Sequence, residues 1–358
     1  MSTQVVTLWC TLHPASGGES ELRQVLRDLA AKVREIDWPF NVSAKGPKTL
    51  FLGTGPKLIP INDEIDKPLL PDGRRNIYCT LELGRQLRRL YINQLNFIPR
   101  KLHISHLHLR STQYQQTFIS LQNLFRGLYP PEFVDVPLDD VLVTLPGDGP
   151  VRVDTQPLKL HSVLDTINAV AATPQPQDFL PPEFLNPCLR TIMEKICSEE
   201  EFAGYTHSKE FRSLGVGCIL QEAVQRMSTA IHQTDQPRAV GDIQRMFLFA
   251  CHDSTIAGTL ASLGAMKDPD WFWPPYTAYI TMELFRYVGE SVAHSSTNKR
   301  KVDSWFIRLN YQGKPIVLPQ CAEKGSYLPG CKGVYTFESL RVFVNKFAPN
   351  KEGESFRL

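Results

Sequence analysis

The sequence predicts an α/β protein with a mostly parallel sheet, because three stretches of the chain run in the order strand, polar turn, helix. The strand-like runs are Val5 to Thr11, Leu102 to Leu109 and Met246 to Ala250, and each is followed by apolar residues at helical spacing. In open sheets built from such units, the turn after a strand is where ligands bind. The length of 358 residues suits one large α/β domain that carries an inserted subdomain.

Composition narrows the class of partner. The chain is 42% hydrophobic and 21% charged, which excludes disorder, collagen and coiled coil as descriptions of the whole chain. The formal charge is only +2, and the one short basic run is Lys299, Arg300 and Lys301. We therefore expect a small molecule, such as a phosphomonoester or another anion, and no nucleic acid.

Targeting and redox signals are sparse. No apolar run reaches about 18 residues, and the stretch from Met1 to Cys10 lacks the basic start and long apolar run of a secretory signal. We expect an intracellular protein, cytoplasmic or mitochondrial, with no signal peptide and no membrane span. The eight cysteines show no zinc spacing, so free thiols are the default. Cys321 and Cys331, in one Pro/Gly-containing loop, are the pair that an oxidising compartment would join.

The first unit continues from its strand into a turn at Pro14, Gly17 and Gly18 and a predicted helix from Ser20 to Ile36. A proline-rich stretch follows, and then apolar spacing predicts a helix around Leu83 to Tyr91. The three arginines on its opposite face are interpreted as solvated: Arg85, Arg88 and Arg89.

The second unit carries polar residues from Arg110 to Thr112 before a helix with apolar positions from Phe118 to Leu128. Beyond it, we expect residues 132–235 to form a mainly helical inserted subdomain, with residues 1–131 and 236–358 as the α/β core. Periodicity within the insert is weak until Leu220 to Ile231, which predicts a helix.

The third unit places Cys251, His252 and Asp253 directly after an apolar strand and before a small-residue helix that ends at Gly264. Further along, Ala278 to Arg286 and Trp305 to Tyr311 read as strands. A turn at Gln312 and Gly313 and a helix near Thr336 to Lys346 complete the prediction.

The polar turns predict a site. His252 and Asp253 begin a helix, where free N–H groups and the dipole favour an anion. Arg110 occupies the matching turn, and its guanidinium fits phosphate bidentately. Three interpretations without a catalytic role stay open: Asp253 as a helix cap, His252 as a histidine whose hydrogen bonds are made within the fold, and Arg110 as a surface charge. His106 and His108 lack a third ligand, so we expect no metal.

Longer segments carry a family resemblance. Residues 247–264, the stretch Trp273 to Tyr276 and the stretch Met282 to Leu284 resemble the C-terminal signature of the histidine acid phosphatases, branch 2 of the histidine phosphatase superfamily. Residues 81–91, 109–130 and 202–227 are similar to other motifs of that family. The resemblance implies a phosphoglycerate-mutase-like three-layer sandwich with a mostly parallel sheet and a smaller helical subdomain.

The same resemblance implies roles for the turn residues. Arg110 and His252 would clamp the phosphate, and Asp253 would give a proton to the leaving alcohol during hydrolysis of a phosphate monoester through a phosphohistidine. Such an acid needs a pKa high enough to stay protonated at the working pH. No metal and no cofactor are implied.

One motif departs from the family. The Arg-His-Gly-x-Arg motif that supplies the nucleophile is absent, and the nearest candidate is His13 in Leu12-His13-Pro14-Ala15-Ser16. Gln116 stands where the family has a further arginine. Since one lost donor costs about 3 kcal/mol of transition-state stabilisation, we expect weak or lost activity. Three accounts remain: a catalytically inactive pseudophosphatase acting as a binding or interaction protein, a phosphatase with repurposed residues, or a first segment that differs from that of the functional protein.

Overall fold

The computed structural model describes residues 4–10, 57–60, 80–112, 114–145, 160–171, 176–178, 180–234, 244–266, 273–275, 277–286, 305–321, 323, 325–328 and 331–348. His13 and the predicted helix from Ser20 to Ile36 lie outside the described residues. None of the helices within these ranges is both long and apolar enough to cross a membrane.

A single mixed sheet organises the described part of the chain, with strand order β2-β4-β3-β5-β1-β6-β7-β10-β9 and β8 paired to β7. Its strands are β1 (Gln4–Cys10), β2 (Lys57–Pro60), β3 (Leu107–Ser111), β4 (Leu142–Leu145), β5 (Met246–Cys251), β6 (Tyr279–Arg286), β7 (Trp305–Tyr311), β8 (Lys314–Pro315), β9 (Tyr327–Leu328) and β10 (Cys331–Thr336).

The four central strands are parallel. β4, β3, β5 and β1 run in one direction, and antiparallel strands flank them on both sides. Parallel strands bring their carboxyl ends to one edge of the sheet, so the polar turns after β3 and β5 meet there. The predicted α/β fold class is confirmed, with the parallel pairing concentrated at the centre of the sheet.

Helices cover both faces of the sheet. The helices in order are α1 (80–94, whose last part Arg88–Gln94 is π-helical), α2 (Gln115–Leu128), α3 (Leu160–Ala171), α4 (Pro187–His207), α5 (Lys209–Arg212), α6 (Cys218–Thr234), α7 (Asp253–Ser262) and α8 (Phe337–Asn345). A π-helical turn, Ser213–Gly217, joins α5 to α6.

Two apolar cores correspond to the two faces. α1 and α2 pack on one face, against alternate residues of β3 and β5 such as Leu109 and Leu248. α6, α7 and α8 pack on the other, against Phe247, Phe249 and Cys251 of β5. Successive side chains of a strand point to opposite faces, which is why β5 is apolar throughout and serves both cores.

A third cluster of buried side chains lies among helices of the predicted insert. It joins α3 and α4 through residues such as Ile167 and Met193. β4, however, pairs with β3, and α6 packs on the sheet, so both belong to the sheet layers although they fall within 132–235. We propose that α3, α4 and α5 form the centre of the helical subdomain.

Several predicted elements are confirmed at or near their predicted bounds: α2, α6, α8, β5, β6 and β7. The strand predicted for Leu102 to Leu109 spans Leu107–Ser111 instead, since Ile104–His106 forms a 3-10 turn. Arg110 therefore lies within the strand, whereas the sequence predicted it in the turn after the strand. α3 was missed because the sequence around it shows little periodicity.

One prediction about a single side chain was wrong. Arg88, interpreted as solvated, is buried: it donates to the Leu128 carbonyl at 2.8 Å and lies 3.8 Å from the centre of the Phe133 ring. Cys321 and Cys331 are both free thiols, as expected by default, and of the two only Cys331 is exposed.

Candidate active site

The register of β3 and β5 brings the two polar turns together. Arg110 lies opposite Phe249, and Ser111 lies opposite Ala250. One step further along, the Thr112 amide donates to the Ala250 carbonyl at 3.3 Å. The residues that follow each strand therefore share one edge of the sheet, as the sequence predicted for parallel neighbours.

His252 sits at this edge, between β5 and α7. Its Nε2 lies 3.1 Å from Thr112 Oγ1, and its ring meets the ring of Tyr114 edge-on, with 5.0 Å between centres. Thr112 Oγ1 also lies 2.6 Å from Thr117 Oγ1. These contacts tie His252 to the turn that follows Arg110.

Asp253 begins α7 and is buried, with 1% of its surface exposed. Its Oδ1 accepts from the Ser254 amide at 2.8 Å, and its Oδ2 accepts from Trp273 Nε1 at 2.6 Å. His252, and not Asp253, is the N-cap residue of α7, although the Asp253 side chain accepts from a first-turn amide of that helix.

Burial gives Asp253 the property that a general acid needs. It raises the pKa of Asp253 from its ordinary value to about 7, against the hydrogen bonds from Trp273 and Ser254, which favour the charged form. The negative charge of Glu201 on α4 raises the pKa further. A carboxylic acid in this position keeps its proton up to near-neutral pH.

Arg110 is not an isolated surface charge. Its Nη1 donates to Glu222 Oε2 on α6, and its Cζ lies 6.0 Å from the centre of the Phe249 ring. The Arg110 side chain is still 36% exposed. It is therefore both anchored and accessible.

Sequence reasoning missed the contribution of α3. His161 and Asp165 are one helical turn apart on this helix, and both are buried beside Asp253, with one ligand atom from each of the three residues within 4.8 Å of the others. The His161 ring lies 4.1 Å from the ring centre of Trp273. Residues of these types are able to ligate a metal. The expectation that the site holds no metal stays a prediction.

Trp273 had a sequence signal, since it opens one of the segments that carry the family resemblance. Glu222, His161 and Asp165 had none at the level of local pattern, because the site residues that they meet, Arg110 and Asp253, are 88 or more positions away along the chain. Of the predicted site residues, Arg110, His252 and Asp253 are brought to one edge. His13 and the side chain of Gln116 lie outside what the structure describes.

Two solved phytase structures resemble the fold of this chain. The phytase of Hafnia alvei in its apo form aligns over 97% of this chain and 98% of its own, with a TM-score of 0.53 and 12% identity. The phytase of Citrobacter braakii aligns over the same shares with a TM-score of 0.52. At this identity the likeness defines the class of protein by its fold, which is the histidine phosphatase fold.

Sequence comparisons support the family resemblance. Residues 193–312 match the profile described as histidine phosphatase superfamily (branch 2). A probable acid phosphatase of Schizosaccharomyces pombe is 28% identical, over 87% of this chain and 78% of its own length. The human lysophosphatidic acid phosphatase type 6 is 20% identical, over 81% and 74%. The matched region and these relatives confirm the resemblance to branch 2 of the histidine phosphatase superfamily.

Proposed function

We propose that this chain is a histidine acid phosphatase-like protein that hydrolyses a phosphate monoester at the edge formed by Arg110, His252 and Asp253. The observation that carries the proposal is that Arg110, near the carboxyl end of β3, shares one sheet edge with a buried acid of raised pKa directly after β5. The acid phosphatase relatives support the same chemistry. A phosphate monoester is the substrate class that the family resemblance implies, and its leaving oxygen receives the proton of Asp253.

Each residue has a separate role in this scheme. Arg110 donates N–H groups to two phosphate oxygens, and His252 donates from its ring to a third. His13 attacks phosphorus, so a P–N bond forms as the bond to the leaving oxygen breaks. Asp253 transfers its proton to that oxygen, and its carboxylate then accepts a proton from the water that releases phosphate.

The missing flanking arginines set the expected rate. Arg110 is a cation already shared with Glu222, and each lost donor costs about 3 kcal/mol in the transition state. We expect turnover of p-nitrophenyl phosphate far below that of an ordinary acid phosphatase. Of the three accounts, the proposal is therefore that of a phosphatase with repurposed residues and low activity.

The first test is binding of inorganic phosphate, measured by calorimetry on the full chain. His252→Ala should abolish the binding, whereas the matched variant His207→Ala, at an exposed position on α4, should keep it. Equal affinity of the wild type and His252→Ala would move the site elsewhere.

The second test concerns the nucleophile. Rapid quench during turnover should trap an acid-labile phosphohistidine, and His13→Ala should remove both the adduct and the turnover. Robust phosphate binding without any adduct or turnover would favour the second candidate, a pseudophosphatase that binds a phosphorylated small molecule. The absent Arg-His-Gly-x-Arg motif is the observation that favours it.

A further inference from the structure

The face between β3 and α6 carries three charged residues in a row, which we call the charge ladder: Arg226, Glu222 and Arg110. Glu222 and Arg226 are one helical turn apart on α6, and Arg110 lies across from them on β3. The charge ladder runs toward the sheet edge that holds His252, and Arg110 is the member nearest to that edge.

Strand register orders the ladder. His108 lies opposite Phe247, and Arg110 lies opposite Phe249 one layer higher. The Arg226 guanidinium lies 4.8 Å from the centre of the Phe247 ring, whereas that of Arg110 lies over Phe249. Arg226 is therefore further from the site than Arg110 by two strand residues.

Glu222 is divided between the two arginines. Its Oε1 accepts from Arg226 Nε at 2.9 Å and from Arg226 Nη2 at 2.7 Å, while its Oε2 accepts from Arg110 Nη1. Within the described part of the chain, the Arg110 guanidinium donates no other hydrogen bond. Since an arginine has five N–H donors, the others stay available for an anion.

Two further side chains hold the Arg226 guanidinium in place, on the side away from Arg110. Its Nη2 lies 3.0 Å from His108 Nε2, and its Nη1 donates to Gln244 Oε1 at 3.3 Å. Burial and the neighbouring Arg226 lower the pKa of His108 to about 4, so the ring stays neutral near pH 7 and accepts from the guanidinium.

We propose that Arg226 is a positioning residue for Arg110: by holding one oxygen of Glu222, it limits that carboxylate to a single N–H of Arg110. Without Arg226, Glu222 would turn both oxygens onto Arg110 in the bidentate geometry that arginine and carboxylate prefer. The donors that phosphate needs would then be occupied. The inference rests on the proposed function for the identity of the anion.

A suppressor experiment tests this role by calorimetry with inorganic phosphate. Arg226→Met should weaken phosphate binding about fivefold or more, because Glu222 then competes for Arg110. Adding Glu222→Gln should restore the affinity to within about twofold of the wild type, since the competing carboxylate is gone and the net charge is that of the wild type. Arg341→Met, which breaks the Glu338–Arg341 pair on α8, is the matched control and should change nothing.

The result that overturns the proposal is a double variant as weak as Arg226→Met, because a direct contact between Arg226 and phosphate predicts no rescue. If Arg226→Met does not fold by circular dichroism, Arg226→Lys replaces it. Lysine keeps the charge but lacks the planar fork, so a smaller loss with the same rescue is expected.

A second measurement separates failure of the ladder from failure of the phosphate site. Modification of Arg110 by phenylglyoxal, followed by peptide mass spectrometry without any phosphate, should slow in Arg226→Met and recover in the double variant. This pattern in a protein that binds no phosphate would keep the ladder and reject the proposed function. An unchanged rate in all variants, together with phosphate binding, would reject the ladder alone.

Discussion

Two ionisable groups at the same edge of the sheet are held in opposite ways. Arg110 is half-exposed and paired with the opposite charge of Glu222, whereas Asp253 is buried and accepts from the neutral donors Trp273 and Ser254. Pairing preserves a charge, and burial without a cationic donor removes one. The site thus keeps a permanent cation for an anion beside an acid that holds its proton.

The largest effect expected from this comparison concerns the acid. Asp253→Asn removes the proton donor without changing the size of the side chain, so turnover of an alkyl phosphate should fall by about 10²- to 10⁴-fold. Turnover of p-nitrophenyl phosphate should fall less, because its leaving group needs little help from a proton. Steady-state kinetics with both substrates would contradict the assignment if the two losses were equal.

A smaller effect is expected from removing the neutral hydrogen-bond donor Trp273. Trp273→Phe keeps a ring beside His161 and Phe202 but removes the hydrogen bond to Asp253 Oδ2, which favours the charged form. The pKa of Asp253 should therefore rise, moving the alkaline limb of the pH–rate profile up by about one unit. An alkaline limb that stays in place would show that Asp253 does not set it.

Other titratable groups also face Asp253 and must be checked in that profile. They are Glu201 on α4, His161 and Asp165 on α3, and the adjacent His252. His161→Gln is the control for a contribution from α3, and the shift caused by Trp273→Phe should persist in its presence.

The smallest effect is on stability. Since the folded-state pKa of Asp253 is raised from 3.8 to about 7, the protonated acid stabilises the fold fully below pH 3.8, and this contribution is lost as the pH rises through 7. Asp253→Asn does not ionise. Its stability relative to the wild type should therefore grow by about 1.4 kcal/mol per pH unit between pH 3.8 and about 7 and stay constant above that, as followed by urea unfolding. A pH-independent difference between the two proteins would contradict a buried, protonated Asp253.

The fold class and the site residues after β5 were both predictable from local sequence pattern. Met246 to Ala250 is apolar at every position and His252 and Asp253 follow it at once, so local pattern was enough to place a strand, a turn and a helix N-terminus. The partner of Arg110 was not predictable this way, since Glu222 is 112 positions away and joins it only through the packing of α6 on the sheet.

The site residues on α3 could not be predicted from the sequence for a different reason. His161 and Asp165 lie in a stretch with weak periodicity, and a buried polar pair on a helix reads as an exposed face until its neighbour Asp253 is known. Arg88 shows the same failure on another helix, because its burial depends on Leu128 and Phe133 from later in the chain.

The central claim is that Asp253 is a carboxylic acid kept protonated by burial near neutral pH. Carbon-13 NMR on protein labelled at the aspartate carboxyl carbons tests it most directly, with Asp253→Asn identifying the resonance. The account predicts that the assigned carboxyl titrates near pH 7. A carboxyl that is already ionised at pH 5 would contradict it.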